Sequence, residues 1–121
     1  MGGRFRLYTD ACVDGPVVEA LVRASWDVRR GVDAFPEGTG DPVHFERAAQ
    51  EGRVLVSNDI DMKLLAESWA AQGKSFPGLV WWHRRTYQRM SPGDFVGAFD
   101  ELAGRDDPFA GYPIVYIKPE R

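Results

Sequence analysis

Arg53-Val54-Leu55-Val56-Ser57-Asn58-Asp59-Ile60-Asp61-Met62 decides the fold. Its apolar run is too short for a helix and stops at two carboxylates one residue apart, the pattern of a buried strand that carries acids to its C-terminal tip. Beyond it Leu64, Leu65, Ser68, Trp69 and Gln72 recur at helical spacing, so Asp59 and Asp61 sit where a strand hands over to a helix. Upstream, Phe5-Arg6-Leu7-Tyr8-Thr9 alternates apolar and polar residues before Asp10, a similar arrangement. In an open parallel sheet the carboxyl ends of adjacent strands converge on one crevice. Carboxylates gathered there call for a divalent cation.

The remaining punctuation fills in the other elements. Asp14-Gly15-Pro16 opens a helix over Val17 to Ala24, with Val17, Val18, Leu21 and Val22 at helical spacing and Asp14 read as its cap. Trp26 to Val32 suggests a second strand near the sheet edge, and Phe35 to Gly40 is a loop by its Gly and Pro content. Asp41-Pro42 has the form of an N-cap and first-turn proline, and the helix it starts runs to Glu51 with Val43, Ala48 and Ala49 inward. Leu79 to His83 is a fourth strand rich in large apolar side chains. After the basic stretch Arg84 to Arg89, Ser91-Pro92-Gly93-Asp94 resembles a capping box, and Phe95, Val96, Phe99 and Leu102 give the last helix its apolar face. Tyr112 to Ile117 closes the set as a fifth strand. The alternation of strand and helix predicts a three-layer α/β/α sandwich on a mainly parallel five-stranded sheet, the α/β class.

A chain of 121 residues suits one domain, expected over residues 5–121 behind a structureless leader at 1–4. The apolar fraction of 44% is ample for a core. No apolar run reaches membrane-spanning length and no signal peptide is recognisable, so a cytoplasmic protein is expected. The single cysteine, Cys12, has no partner for an internal disulfide. A net charge of -3 argues against a protein that coats nucleic acid through a basic face. It is compatible with an enzyme whose acids hold cations where a phosphate approaches.

The candidate ligands are Asp10, Asp59 and Asp61 at strand tips and Asp41 at a helix start on the same side. Mg2+ and Mn2+ take oxygen ligands and need only a few carboxylates, so this set suffices for one ion, or two. The corresponding reaction class is metal-assisted phosphodiester hydrolysis, with the same four acids as catalytic residues. The competing reading of each acid is helix capping.

Asp10 after a first strand, Asp41 opening a helix, and Gly52 to Asp61 followed by Gly78-Leu79-Val80-Trp81-Trp82 resemble the small PIN-like proteins of bacteria and archaea. These are single-domain relatives of the PIN-domain ribonucleases that include the VapC-type toxins. The resemblance implies a PIN-like sandwich, a Mg2+ or Mn2+ site at Asp10, Asp41, Asp59 and Asp61, and endoribonuclease activity restrained by an antitoxin protein, with RNA as substrate. A homodimer is left open. Family members commonly place an acid and an Asn after the first Asp, where this chain has Ala11 and Cys12, and an aromatic residue after the paired acids, where it has Met62.

His83, Arg84 and Arg85, with Arg89, form the densest basic cluster and are read as candidate RNA phosphate ligands, against an ordinary solvated loop. Trp81 and Trp82 are assigned to the core on either face of their strand. Cys12 has no recognisable His and acid to activate it as a nucleophile. Two other readings use the same residues. A silent PIN-like interaction module would keep the acids as caps. A receiver-like phosphoacceptor would use Asp10, Asp59 and Lys118-Pro119, but it would carry a second acid after the first strand and a further helix after Lys118-Pro119.

Overall fold

The apolar runs become the strands of one parallel sheet. A computed structural model describes residues 3–119. In chain order it contains β1 (Leu7–Thr9), α1 (Gly15–Arg23), β2 (Val28–Arg30), the single turn α2 (Gly31–Ala34), α3 (Asp41–Gln50), β3 (Val54–Ser57), α4 (Ile60–Ala71), β4 (Leu79–Trp81), a 3-10 turn (Arg84–Gln88), α5 (Pro92–Ala103) and β5 (Ile114–Tyr116). All pairings are parallel in the order β2-β1-β3-β4-β5.

Strand alternation divides the core. Leu7, Val54, Val56 and Val80 face α1 and α5, packing with Val17, Leu21, Phe95 and Phe99. Tyr8, Leu55, Leu79 and Trp81 face α3 and α4, packing with Phe45, Met62 and Ala66. Central strands covered on both sides must be apolar at every position, which is why β3 reads as a continuous run. β2 and β5 are the two edges.

β1 lies beside β2 on one side and β3 on the other, so the strand order reverses direction there. The crossovers through α1, α3 and α4 share one hand. α5 connects β4 to β5 in the same direction as α4 connects β3 to β4, yet it packs against α1 on the opposite face. That crossover therefore has the other hand, against the usual preference. Directly after β4, Trp82 is fully buried on that face, its ring packed against Phe95 and Phe99 of α5.

Several local expectations change. Gly31 to Ala34 forms the turn α2 where the second strand was expected to continue. In α3, Val43 is exposed while His44, Phe45 and Ala48 turn inward. In α4, Leu64 is exposed while Met62 and Ala66 are buried. Asp14 stands at the N-cap of α1 without a side-chain capping bond; its backbone N–H donates to the Tyr87 hydroxyl instead. The Ser91 and Asp94 capping box forms as expected. Of the leader expected at residues 1–4, Met1 and Gly2 lie outside the described residues. Arg4 is tied to the body, donating to the Ala24 carbonyl and pairing with Asp100.

Candidate metal centre

The site forms where the sheet order reverses, the place at which open α/β sheets present a crevice beyond their strand ends. The Asp10 N–H donates to the Val56 carbonyl at 2.9 Å, so the β1–β3 ladder holds Asp10 one residue beyond β1. Asp10 is 7% exposed. Its Oδ1 accepts from the Ala11 N–H at 2.8 Å and its Oδ2 from the Ser57 hydroxyl at 2.9 Å. Ser57 also accepts the Asp59 N–H at 3.0 Å, so one hydroxyl at the tip of β3 fixes two acids.

Asp59 is the N-cap of α4, its Oδ1 accepting the Asp61 N–H at 3.0 Å. Its carbonyl accepts from the Trp81 indole at 2.9 Å, which ties the cap to β4. Asp41 is the first residue of α3, where the unpaired N–H groups of the first turn favour an anion. Carboxylate oxygens of Asp10, Asp41 and Asp59 all lie within 4.8 Å of one another.

Asp61, exposed in the first turn of α4, is not part of this trio. Its charge still acts there. The Asp41 carboxyl is pushed above its ordinary value by burial first, then by the charges of Asp10, Asp59 and Asp61, against a smaller opposing pull from His44. Among the described residues no lysine, arginine or histidine forms an ion pair with any of the three acids. Three hard oxygen donors at this spacing, none of them in an ion pair among the described residues, fit a divalent cation of the Mg2+ or Mn2+ type.

Cys12 adjoins the centre, 3.5 Å from Asp10 Oδ2 and 3.4 Å from the Ser57 hydroxyl. Burial pushes its thiol up to about 11, so it remains protonated at neutral pH. That state agrees with its assignment as a bystander rather than a nucleophile.

The basic residues occupy a separate surface. His83 caps the 3-10 turn, its Nδ1 accepting from the Arg85 N–H at 3.1 Å. His83, Arg85, Thr86, Arg89 and Pro119 line a cavity of about 360 Å³, and Arg84 is outside that lining. Tyr87 joins this turn to the acidic centre: its hydroxyl accepts from the Asn58 amide at 2.7 Å, next to Asp59. Lys63 stands over the rings of Trp81 and Tyr116, at 5.2 and 5.5 Å. Lys118 lines the groove between α5 and β5 with Asp94 and Glu101.

Sequence reasoning missed Ser57 as the shared anchor, Tyr87 as the link to the basic turn, and the Tyr8–His44 pair. Only Ser57 had a local signal, a hydroxyl residue ending an otherwise apolar strand. Comparison with family models, with curated proteins and with solved structures gives no match. Fold and site therefore rest on the geometry just described, which is consistent with a PIN-like sandwich and compatible with a metal-dependent hydrolase. Among the described residues no helix is long and apolar enough to cross a membrane.

Proposed function

We propose that the chain is a metal-dependent endoribonuclease of PIN-like type. The observation that carries this is the convergence of Asp10, Asp41 and Asp59 within 4.8 Å where the strand order reverses. In this reading those three hold Mg2+ or Mn2+. When bound, such an ion lowers the pKa of its water and neutralises charge developing on a phosphodiester.

The chain's own residues do the rest. Ser57 holds the Asp10 carboxylate in one orientation, and Ala11 N–H fixes its other oxygen. Asp61, exposed at the rim, is the acid left to receive a proton or to hold a water. His83, Arg84 and Arg85, with Arg89, act as donors to flanking phosphates, and Tyr87 and Asn58 keep their turn in register with the acids. The resemblance to PIN-like proteins further supports a cytoplasmic toxin restrained by an antitoxin protein.

A mixed pool of structured RNAs incubated with Mn2+, with Mg2+ or with chelator tests the reaction. Metal-dependent products are expected from the wild type and none from Asp59→Asn; cleavage by that variant at the wild-type rate overturns the site assignment.

One observation favours a second reading, the silent interaction module: Asp59 already spends Oδ1 on capping α4. Titration calorimetry separates the two. Heat of Mn2+ binding that disappears in Asp59→Asn supports the metal centre, and no heat from the wild type supports the module. The receiver-like reading expects Lys118 beside the acids, and Lys118 instead lies in the α5–β5 groove.

A further inference from the structure

Tyr8 and His44 form a polar pair inside the apolar layer beneath α3. Tyr8 is fully buried and His44 is 6% exposed. The Tyr8 hydroxyl and His44 Nδ1 share a hydrogen bond of 2.7 Å. The fold makes specific room for it: a Cβ at Gly31 would lie 3.2 Å from His44 Nδ1 and 3.1 Å from the Thr9 carbonyl, and the Phe35 ring stands edge-on to the imidazole at 5.4 Å. Burial raises the Tyr8 phenol above its ordinary value, so it keeps its proton.

The position of the pair matters more than its burial. Tyr8 precedes Asp10 by two residues and shares its side of β1. His44 follows Asp41 by three residues and shares its side of α3. The interface between β1 and α3 therefore has two rungs. The inner rung, Tyr8 to His44, attracts; the outer rung, Asp10 to Asp41, repels as long as no cation is bound.

Deepening the metal-centre reading, we propose that Tyr8 and His44 are positioning residues whose hydrogen bond holds the start of α3 against β1, so that Asp41 stays within reach of Asp10 before a cation arrives. Without the bond α3 relaxes outward under carboxylate repulsion, and the ion must draw it back at the cost of part of its binding energy.

Two measurements test this on the whole chain. In the first, Mn2+ affinity is measured by calorimetry at a temperature where every variant is folded. Tyr8→Phe is expected to weaken Mn2+ binding about three- to tenfold, the scale of one net hydrogen bond. His44→Leu does the same. His44→Asn, whose amide occupies the place of Nδ1 and can still meet the phenol, restores most of the affinity. Equal affinity in wild type and Tyr8→Phe, or no rescue by Asn relative to Leu, overturns the proposal.

The second needs no metal. In chelator, the melting-temperature change caused by Asp41→Asn is more favourable with Tyr8 present than in the Tyr8→Phe background, because only the intact pair enforces the repulsion that Asn removes. Identical changes in the two backgrounds overturn the proposal. Coupling in chelator together with no Mn2+ binding by the wild type leaves the pair in its positioning role and removes the metal centre instead.

Discussion

Replacing Asp59 by Asn separates the two roles of that residue, and the structure gives each a magnitude. As a cap, Asn accepts the Asp61 N–H about as well as Asp does, so α4 keeps its first turn. As a charge, Asp59 enters two of the three repulsive pairs in a cluster whose oxygens lie within 4.8 Å. At that separation each pair repels by about 0.9 kcal/mol in a water-like medium and about 3.5 kcal/mol at an effective dielectric of about 20. Asp41 and Asp59 are only half-buried, so the lower figure applies, screened further by salt. Loss of the anion at the start of α4 gives back about 0.5 kcal/mol. The net is about 1 kcal/mol in favour of the variant, or about 4 °C in melting temperature for a domain of this size. Mn2+ at a hundred times its Kd would stabilise the wild type by about 2.7 kcal/mol. Thermal melts in chelator and in Mn2+ therefore cross: Asp59→Asn melts above the wild type in chelator and below it in Mn2+. Asp59→Ala, which also gives up about 1 kcal/mol of capping, melts close to the wild type in chelator. An Asp59→Asn protein that melts below the wild type in chelator, or that gains as much from Mn2+, refutes the cluster as a repulsive cation site.

Three further outcomes follow from other residues. The raised Asp41 carboxyl binds its proton more tightly in the folded than in the unfolded chain, so its contribution to stability is complete below the ordinary Asp value of 3.8 and is lost as pH rises through the raised one. In chelator the melting temperature should accordingly fall more steeply with rising pH over that window in wild type than in Asp41→Asn, and parallel curves would contradict the assignment. At Gly78, with φ +152°, a Cβ would lie 2.5 to 2.9 Å from the Phe109 ring. Gly78→Ala should cost about 3 kcal/mol and lower the melting temperature by about 10 °C, as read by calorimetry. Arg85→Ala and Arg89→Ala should each weaken RNA binding and reduce the slope of log affinity against log salt by about 1 while leaving Mn2+ affinity unchanged, which filter binding across a salt series would read.

The residues that the sequence made legible are those whose environment is set by neighbours along the chain. β3 and β4 declared themselves because a strand covered on both faces is apolar throughout. Ser91 and Asp94 declared α5 because a capping box lies within one turn. Asp10 and Asp59 were legible as the first acids after apolar strands. Val43 was misread because apolar identity was taken for inward direction, whereas the inward face of α3 belongs to His44, Phe45 and Ala48. Asp61 was grouped with Asp59 at a strand tip; Asp59 is the cap of α4, and Asp61 sits in its first turn, outside the trio. The bonds that shape the site, Ser57 to Asp10 across 47 positions and Tyr8 to His44 across 36, are tertiary pairings with no local pattern.

Capping and cation binding make different demands on this site, and Asp10 distinguishes them. Asp59 is accounted for singly as the cap of α4, and Asp41 as an acid in the first turn of α3. Neither role requires the two helix starts to face one point. Asp10 belongs to no helix start, is nearly fully buried, and has both oxygens held by Ala11 and Ser57, yet it lies within 4.8 Å of the other two. The positive ends of α3 and α4 reduce the repulsion by about 0.3 to 1 kcal/mol each, which offsets part of what three charges at this distance cost. No ion pair among the described residues supplies the remainder, and the Asp41 carboxyl is pushed up first by burial and then by the charges of its neighbours. On the metal-centre reading proposed above, a cation at the point where the three acids meet offsets that cost, and the Tyr8–His44 pair is proposed to hold the geometry in its absence.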